Sequence, residues 1–224
     1  MPWEIFEQAA DRYDAWYETP RGQRAERAER ALLDWLLGHV ADARSLLDVG
    51  CGTGRFTAWL AGRPLQVFGL DRSPAMLAAM RQRHGRIPAI LGDAHRLPLR
   101  AGAVDLTLLL ATLEFLEEPM VAVAETVRVS RRGVLLVVLN RWSLGGLSRR
   151  FGPQARGSLL AQARDPTIFT LRAMVRRAAG PRLRALSWAS TLLPDGLWTA
   201  RTMLPVGDVL GMAVVLAAPG DSAR

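Results

Sequence analysis

The chain is predicted to be an α/β protein built on a doubly wound, mostly parallel sheet, and three observations carry that expectation. Short apolar runs alternate with stretches of helical period, the pattern of repeated βα units. The first of these runs, Leu46-Leu47-Asp48-Val49, breaks into Gly50, Cys51, Gly52, Thr53 and Gly54, three glycines at alternate positions that lead into a helix. The next, Val67-Phe68-Gly69-Leu70, ends on an acid, Asp71. A glycine turn at a helix N-terminus, facing an acid at the next strand end, is how open α/β sheets hold a nucleoside.

Each element has its own justification. Thr19-Pro20 starts a helix to about Leu37, with Leu32, Leu33, Leu36 and Leu37 on one stripe and Gly38 as its stop. A short helix over Phe56–Ala61 is closed by Gly62 and Pro64, and Ser73-Pro74 caps the next, from Ala75 to about His84. Ile87–Leu91 reads as a third strand, which Pro88 marks as an edge, because proline cannot donate to a ladder. Val104–Leu110 is apolar enough to be a central fourth strand. A helix from Glu118 to about Val129 and a strand over Gly133–Leu139 follow. Between Asn140 and Asp165 the periodicity fails, and this stretch is expected to be an irregular insertion on the substrate side. A last helix, Thr170–Ala179, precedes two strands near 183–190 and 208–217.

A chain of 224 residues with half its residues apolar suits one domain, spanning 1–224. All 29 basic residues are arginine, which points to a GC-rich genome. Their distribution is uneven: residues 1–125 hold 14 arginines against 17 acids, residues 126–224 hold 15 against 4. Such asymmetry suggests an anionic partner at the C-terminal half, with a solvated face coloured by codon usage as the bland alternative. Cys51 is the sole cysteine, which excludes disulfides and thiolate metal clusters, and His39, His84 and His95 have no metal-ligand spacing. No metal is expected. Without lysine no G-x-x-x-x-G-K-[ST] loop exists, and no G-x-S-x-G elbow appears. The N-terminus has no apolar core of signal-peptide length and no run reaches the length of a membrane span, so a cytoplasmic protein is expected.

The glycines at 50, 52 and 54 spell G-x-G-x-G, while the dinucleotide fingerprint needs a third glycine where Arg55 stands. After the third strand comes Gly92-Asp93-Ala94-His95-Arg96-Leu97-Pro98-Leu99, close to the segment G-D-A-x-x-L-P-F. On these residues the chain resembles the class I S-adenosylmethionine-dependent methyltransferases, of the type 11 or ubiquinone and menaquinone biosynthesis group, over roughly residues 10–140. The resemblance implies seven strands in the order 3-2-1-4-5-7-6, the last antiparallel, with helices on both faces and S-adenosyl-L-methionine as cofactor. It implies that Asp48 stands near the methionine amine, directly or through the loop, that Asp71 accepts from both ribose hydroxyls, and that Asp93 and the Ala94 amide meet the adenine. Gly50, Cys51, Gly52, Thr53 and Gly54 would form the loop, with Arg72, Met76 and Ala111 completing the cofactor set.

The stretch Ala111-Thr112-Leu113-Glu114-Phe115-Leu116-Glu117-Glu118-Pro119 lacks the Asn/Asp-Pro-Pro-aromatic motif of nucleic-acid amino-methyltransferases. The implied acceptor is therefore a small or lipid-like molecule, with an anionic one suggested by the arginines and nucleic acid disfavoured. Contact with a membrane surface and the oligomeric state stay open. Displacement at a sulfonium needs alignment and desolvation more than a base. Glu114, His95, Tyr13 and Tyr17 are the groups that could take a proton. The aromatic segment from Trp3 to Tyr17 reads either as a lid over the cofactor or as an anchor on the core. Two rivals remain at this point: a nicotinamide-dependent oxidoreductase on the same architecture, and a non-catalytic S-adenosylmethionine-binding protein.

Overall fold

The computed structural model describes residues 14–40, 42–143, 165–192 and 201–218, together with Glu7, Leu147 and Ala163. Tyr13 and most of the 140–165 segment lie outside the described residues.

The chain enters on a 3-10 turn, Asp14–Trp16, and then α1, Pro20–Leu37. Thr19 caps α1 by accepting from the Gly22 amide at 3.0 Å, with Pro20 in the first turn where its missing N–H costs nothing. Five parallel strands follow: β1 Ser45–Val49, β2 Gln66–Asp71, β3 Ala89–Leu91, β4 Val104–Leu110 and β5 Ser130–Leu139. Between them run α2 Arg55–Ala61, α3 Pro74–His84 and α4 Pro119–Val129. α5, Ile168–Ala179, leads to β6 Leu183–Thr191 and then β7 Val209–Leu216. The sheet order is β3-β2-β1-β4-β5-β7-β6, and β7 is antiparallel to both its neighbours. This is the expected seven-stranded fold.

Both faces of the sheet are covered, which is why β4 is buried from Val104 to Leu109 with no alternation. On one face, Leu32, Leu33 and Leu36 of α1 and Phe56 and Leu60 of α2 pack against Leu46, Leu106, Leu108, Leu135 and Val137. On the other, Val123 and Val127 of α4 and Leu171 and Val175 of α5 pack against Leu47, Leu109, Val134, Leu136 and Val138.

Three boundaries differ from expectation by two residues or more. β3 begins at Ala89, because Pro88 supplies only a carbonyl, accepting from the Gly69 amide at 2.9 Å. β5 starts at Ser130, since Ser130 pairs with Val104 ahead of an irregularity in register. α5 starts at Ile168, because Thr167 and Thr170 form a reciprocal capping box at its N-terminus. The N-terminal edge of the sheet is closed by Asp105, which accepts from the amides of Arg44 and Ser45 at 2.9 and 3.2 Å and from Arg131 at 2.9 Å. Open surface is left at the C-terminal edge.

Candidate functional site

At the C-terminal ends of β1 to β4 lies a cleft of about 830 Å³, counted out to the solvent. Its floor is the glycine turn after β1. The amides of Gly50 and Cys51 both donate to the Leu70 carbonyl, at 2.7 and 3.0 Å, which lashes the turn to β2. Gly50, Gly52 and Gly54 all have positive φ, at 79°, 54° and 82°. A Cβ on Gly50 would stand 2.5 Å from the Thr112 side chain, and one on Gly54 2.6 Å from Met80. At Gly52 a Cβ would meet nothing nearer than Met76 Sδ at 4.0 Å, so the backbone is bare on the cleft side. A loop this bare allows a ligand to lie directly on the main chain.

Asp71, at the tip of β2, accepts from the Gly52 amide at 2.8 Å and from the Ser73 amide at 2.9 Å. Burial pushes its pKa up from the ordinary value, against the pull of those two amides. On the far wall, Asp93 is 40% exposed on its side chain and accepts from the amide of His95 at 2.9 Å and from its ring Nδ1 at 2.7 Å. Partial burial works to raise its pKa, but these two bonds and the charge of Arg72, 3.9 Å away, bring it below the ordinary value. A carboxyl acceptor thus stands at each side of the cleft, and between them stand the apolar Leu70, Met76 and Ala94. That set of donors and acceptors fits a cofactor with a ribose diol on the β2 side and an amino-purine on the β3 side.

Of the residues expected to bind cofactor, Gly50, Gly52, Asp71, Arg72, Met76, Asp93, Ala94 and Ala111 line the cleft. Asp48, Cys51, Thr53 and Gly54 stand behind the turn and hold its shape. Asp48 is buried and accepts from Thr57 Oγ1 at 2.7 Å; burial, opposed by this bond and reinforced by Asp71, raises its pKa to about 7. Cys51 is buried with its Sγ 3.5 Å from Met80 Sδ, in the space that Gly69 leaves for it. Burial holds its thiol well above the usual range, so it is no nucleophile. Thr53 Oγ1 donates to Asp14 at 2.9 Å.

The four proton acceptors singled out from sequence fare differently. His95 lines the cleft, but both ring nitrogens are engaged: Nδ1 on Asp93, and Nε2 accepting from the Glu118 amide at 3.3 Å. Glu114 is buried with Oε1 accepting from the Leu139 amide at 2.5 Å, away from the cleft lining. Tyr17 is buried, edge-on to Phe56 at 5.9 Å and under the Arg55 guanidinium at 4.8 Å. Tyr13 lies outside the described residues.

Several contributors were not singled out from sequence. Thr112 Oγ1 donates to the carbonyls of Val49 and Leu110, at 3.2 and 3.0 Å, and so ties the ends of β1 and β4 beside the cleft. Its neighbour Ala111 has φ of 47°, a strained turn worth about 1–3 kcal/mol that redirects the chain there. Phe115 and Leu116 form the apolar wall beyond it. The one signal in sequence was a lone threonine in an otherwise apolar exit from a central strand. The acidic side chains of the N-terminal segment were also missed: Glu7 accepts from Ser73 Oγ and the Ala75 amide, Asp14 holds Thr53 and Arg83, and Glu18 pairs with Arg55 at 2.6 Å.

A doubly wound sheet, a turn whose three glycines all have positive φ, and an acid at each of the next two strand ends define a nucleoside-cofactor domain with no pyrophosphate cradle. The methyltransferase-domain family matches residues 47–138. The malonyl-[acyl-carrier protein] O-methyltransferase of Serratia marcescens is 31% identical over 208 residues, covering 90% of this chain and 76% of its own. An uncharacterized methyltransferase of Mycobacterium tuberculosis is 39% identical over 101 residues, 45% of this chain, and the match spans about 40% of that relative's length. Among solved structures, an S-adenosylmethionine-dependent methyltransferase of Thermotoga maritima superposes with a TM-score of 0.78 at 21% identity, covering 96% of this chain and 99% of that one. The chain belongs to the S-adenosylmethionine-dependent methyltransferases, and its cofactor is S-adenosylmethionine.

Proposed function

We propose that this methyltransferase acts on a small, lipid-like acceptor and carries out the transfer by positioning alone. The observation that carries this reading is the wall of the cleft beyond Ala111, where Leu110, Phe115 and Leu116 present apolar surface next to the methionine end of the site. An amphiphile would bury its apolar body there and leave its polar atom toward the cofactor.

When bound, the cofactor supplies a methyl group on a sulfonium, already activated for in-line displacement. The chain's own residues do the rest. Asp71 would accept from the ribose hydroxyls with lone pairs that the Gly52 and Ser73 amides leave free, and Asp93, oriented by His95, would accept from the adenine amine. Gly52 would give the methionine end contact with bare backbone, while Leu116 and Phe115 keep water from the reacting atoms. With His95 engaged at both nitrogens and Glu114 bonded to Leu139, the acceptor oxygen or nitrogen would lose its proton to solvent.

A carrier-bound carboxylate is a second reading, favoured by the match of the Serratia marcescens enzyme over 90% of this chain. Incubating the protein with cell extract and methyl-labelled cofactor, then identifying the labelled product by mass spectrometry, decides between them. Label in an organic-soluble amphiphile is the expected result. Label on a carrier protein favours the second reading, and label on a polar metabolite alone rejects both.

A further inference from the structure

The C-terminal edge of the sheet does not end at the cleft. Past β5 the chain turns through Arg141, Trp142 and Ser143; before α5 it passes Asp165, Pro166 and Thr167; and before β7 it runs from Arg201 to Asp208. Hydrogen bonds tie these three stretches into one lip. The Asn140 amide donates to the Asp208 carbonyl at 2.9 Å, and its side chain donates to the carbonyls of Pro205 and Gly207 at 3.0 and 2.9 Å. The Arg141 amide donates to the Pro166 carbonyl at 3.4 Å. Ser190, at the end of β6, adds its hydroxyl to the Leu204 carbonyl at 2.6 Å.

From this lip large apolar side chains project into solvent: Trp142 is 65% exposed, Phe169 at the N-terminus of α5 73%, and Leu204 63%, with Met203 and Val206 beside it. Phe169 is directed outward because Ile168, Leu171 and Val175 take the buried stripe of α5. Such clustering on one edge differs from the single exposed apolar residues that any surface carries. Within the lip, the charges of Arg141 and Arg201 are matched in number by Asp165 and Asp208. A partner recognised by charge alone would find little there. Further along α5 the balance changes, with Arg176 and Arg177 exposed and Arg176 seven residues after Phe169, on the same face of the helix. A protruding apolar lip of Trp, Phe, Leu and Met continued by exposed arginines on α5 has the chemistry of a bilayer interface: apolar tips enter the headgroup boundary while arginines are drawn to anionic headgroups.

We propose that the lip formed by Trp142, Phe169, Met203, Leu204 and Val206 docks this protein on the surface of a bilayer carrying anionic lipids, so that an amphiphilic acceptor reaches the cleft from the membrane. The route of the acceptor rests on the function proposed above; the docking does not.

Flotation of the full chain with vesicles tests it, using phosphatidylcholine mixed with phosphatidylglycerol and, in parallel, phosphatidylcholine alone. The full chain floats with the mixed vesicles, less with the neutral ones, and less as salt rises. Replacing Trp142 and Phe169 together with serine weakens partition into mixed vesicles at least about tenfold. The affinity for S-adenosylhomocysteine and the melting temperature stay at the parent values, because neither residue touches the cleft. A second pair, Met203→Ser with Leu204→Ser, gives the same loss and guards against misfolding of the first. The proposal is overturned by a full chain that stays in solution with both vesicles, or by serine variants that float like the parent. It is equally overturned if the serine pairs abolish self-association or binding to an acidic carrier protein while vesicle binding is absent. Labelled product that is water-soluble rejects the acceptor reading and leaves the flotation result standing.

Discussion

The Asp71 carboxylate holds the amide of Gly52 at 2.8 Å, so the acid at the end of β2 and the glycine turn after β1 are one mechanical unit. The turn has few ways to be held otherwise. Its glycines occupy positive φ, a conformation the unfolded chain leaves readily, and its own amides at Gly50 and Cys51 are committed to Leu70. Asp71 therefore has two places that sequence motifs present as one: it shapes the cradle and it lines the cleft.

Replacing Asp71 with alanine strips the acceptor from the Gly52 and Ser73 amides as well as from the ribose. Hydrogen bonds to a charged group contribute about 1.5–3 kcal/mol each. We expect S-adenosylhomocysteine to bind at least about tenfold more weakly and the melting temperature to fall by several degrees. Asparagine does not rescue binding, because its NH2 group meets one of the two amide donors head-on. Calorimetry and thermal melts read both effects; an alanine variant with parental affinity removes Asp71 from the site.

His95 offers a separate test of positioning against catalysis. Its ring links Asp93 to the N-terminus of α4 through Nδ1 and Nε2, which leaves no nitrogen for an acceptor proton. His95→Ala should raise the KM for S-adenosylmethionine by about tenfold, the worth of a bond to a charged acceptor that is partly exposed, with kcat little changed. The pH profile of kcat should keep its shape. A kcat that collapses and loses its pH dependence would identify His95 as the base after all.

The elements and strand order were legible because α/β sheets announce themselves in apolar runs and helix caps: Thr19-Pro20, Ser73-Pro74 and the glycines each stop or start an element for a local reason. Part of the cleft lining was legible too, since Asp71 and Asp93 are placed by strand ends rather than by distant packing. What sequence could not separate was facing from backing. Asp48 and Cys51 sit within the same motif as Gly50 and Gly52, yet they point behind the turn, toward Thr57 and Met80. Glu114 shows the same limit, since its bond to Leu139 is made across 25 residues and depends on the β4–β5 pairing.

The N-terminal segment grips the cofactor loop through acids. Glu7 reaches Ser73 and the Ala75 amide, Asp14 reaches Thr53, and Glu18 reaches Arg55. Contacts of this kind, exposed at Glu18 and only part-buried at Glu7 and Asp14, are individually weak, about 0.2–1 kcal/mol for the exposed pair, so the segment should open readily without ligand. When S-adenosylhomocysteine stiffens the turn, amides of residues 14–19 should gain hydrogen-exchange protection, and Thr53→Val should reduce that gain. Equal protection with and without ligand would make the segment an anchor on Phe56 rather than a lid.

Glu29 on α1 predicts an unusual response of stability to pH. Its side chain is buried, its Oε2 has no hydrogen-bond partner among the described residues, and burial together with Glu26 and Glu114 pushes its pKa from 4.5 to about 8. A carboxyl whose pKa is higher in the folded chain binds its proton more tightly there. Its contribution is therefore complete below pH 4.5 and is lost as pH rises through about 8. Asp48, raised from 3.8 to about 7, acts in the same direction. Asp93, Asp105 and Glu125, held below their ordinary values, oppose them by losing stability at acid pH. Unfolding in urea should therefore show stability declining between about pH 4.5 and about pH 8, and Glu29→Gln should recover roughly 1–3 kcal/mol at the alkaline end while leaving the acid limb unchanged. Glu26, which pairs with Arg30, serves as the control: Glu26→Gln breaks that pair and should not flatten the alkaline decline as far. An alkaline slope that persists undiminished in Glu29→Gln would show that the proton is bound elsewhere.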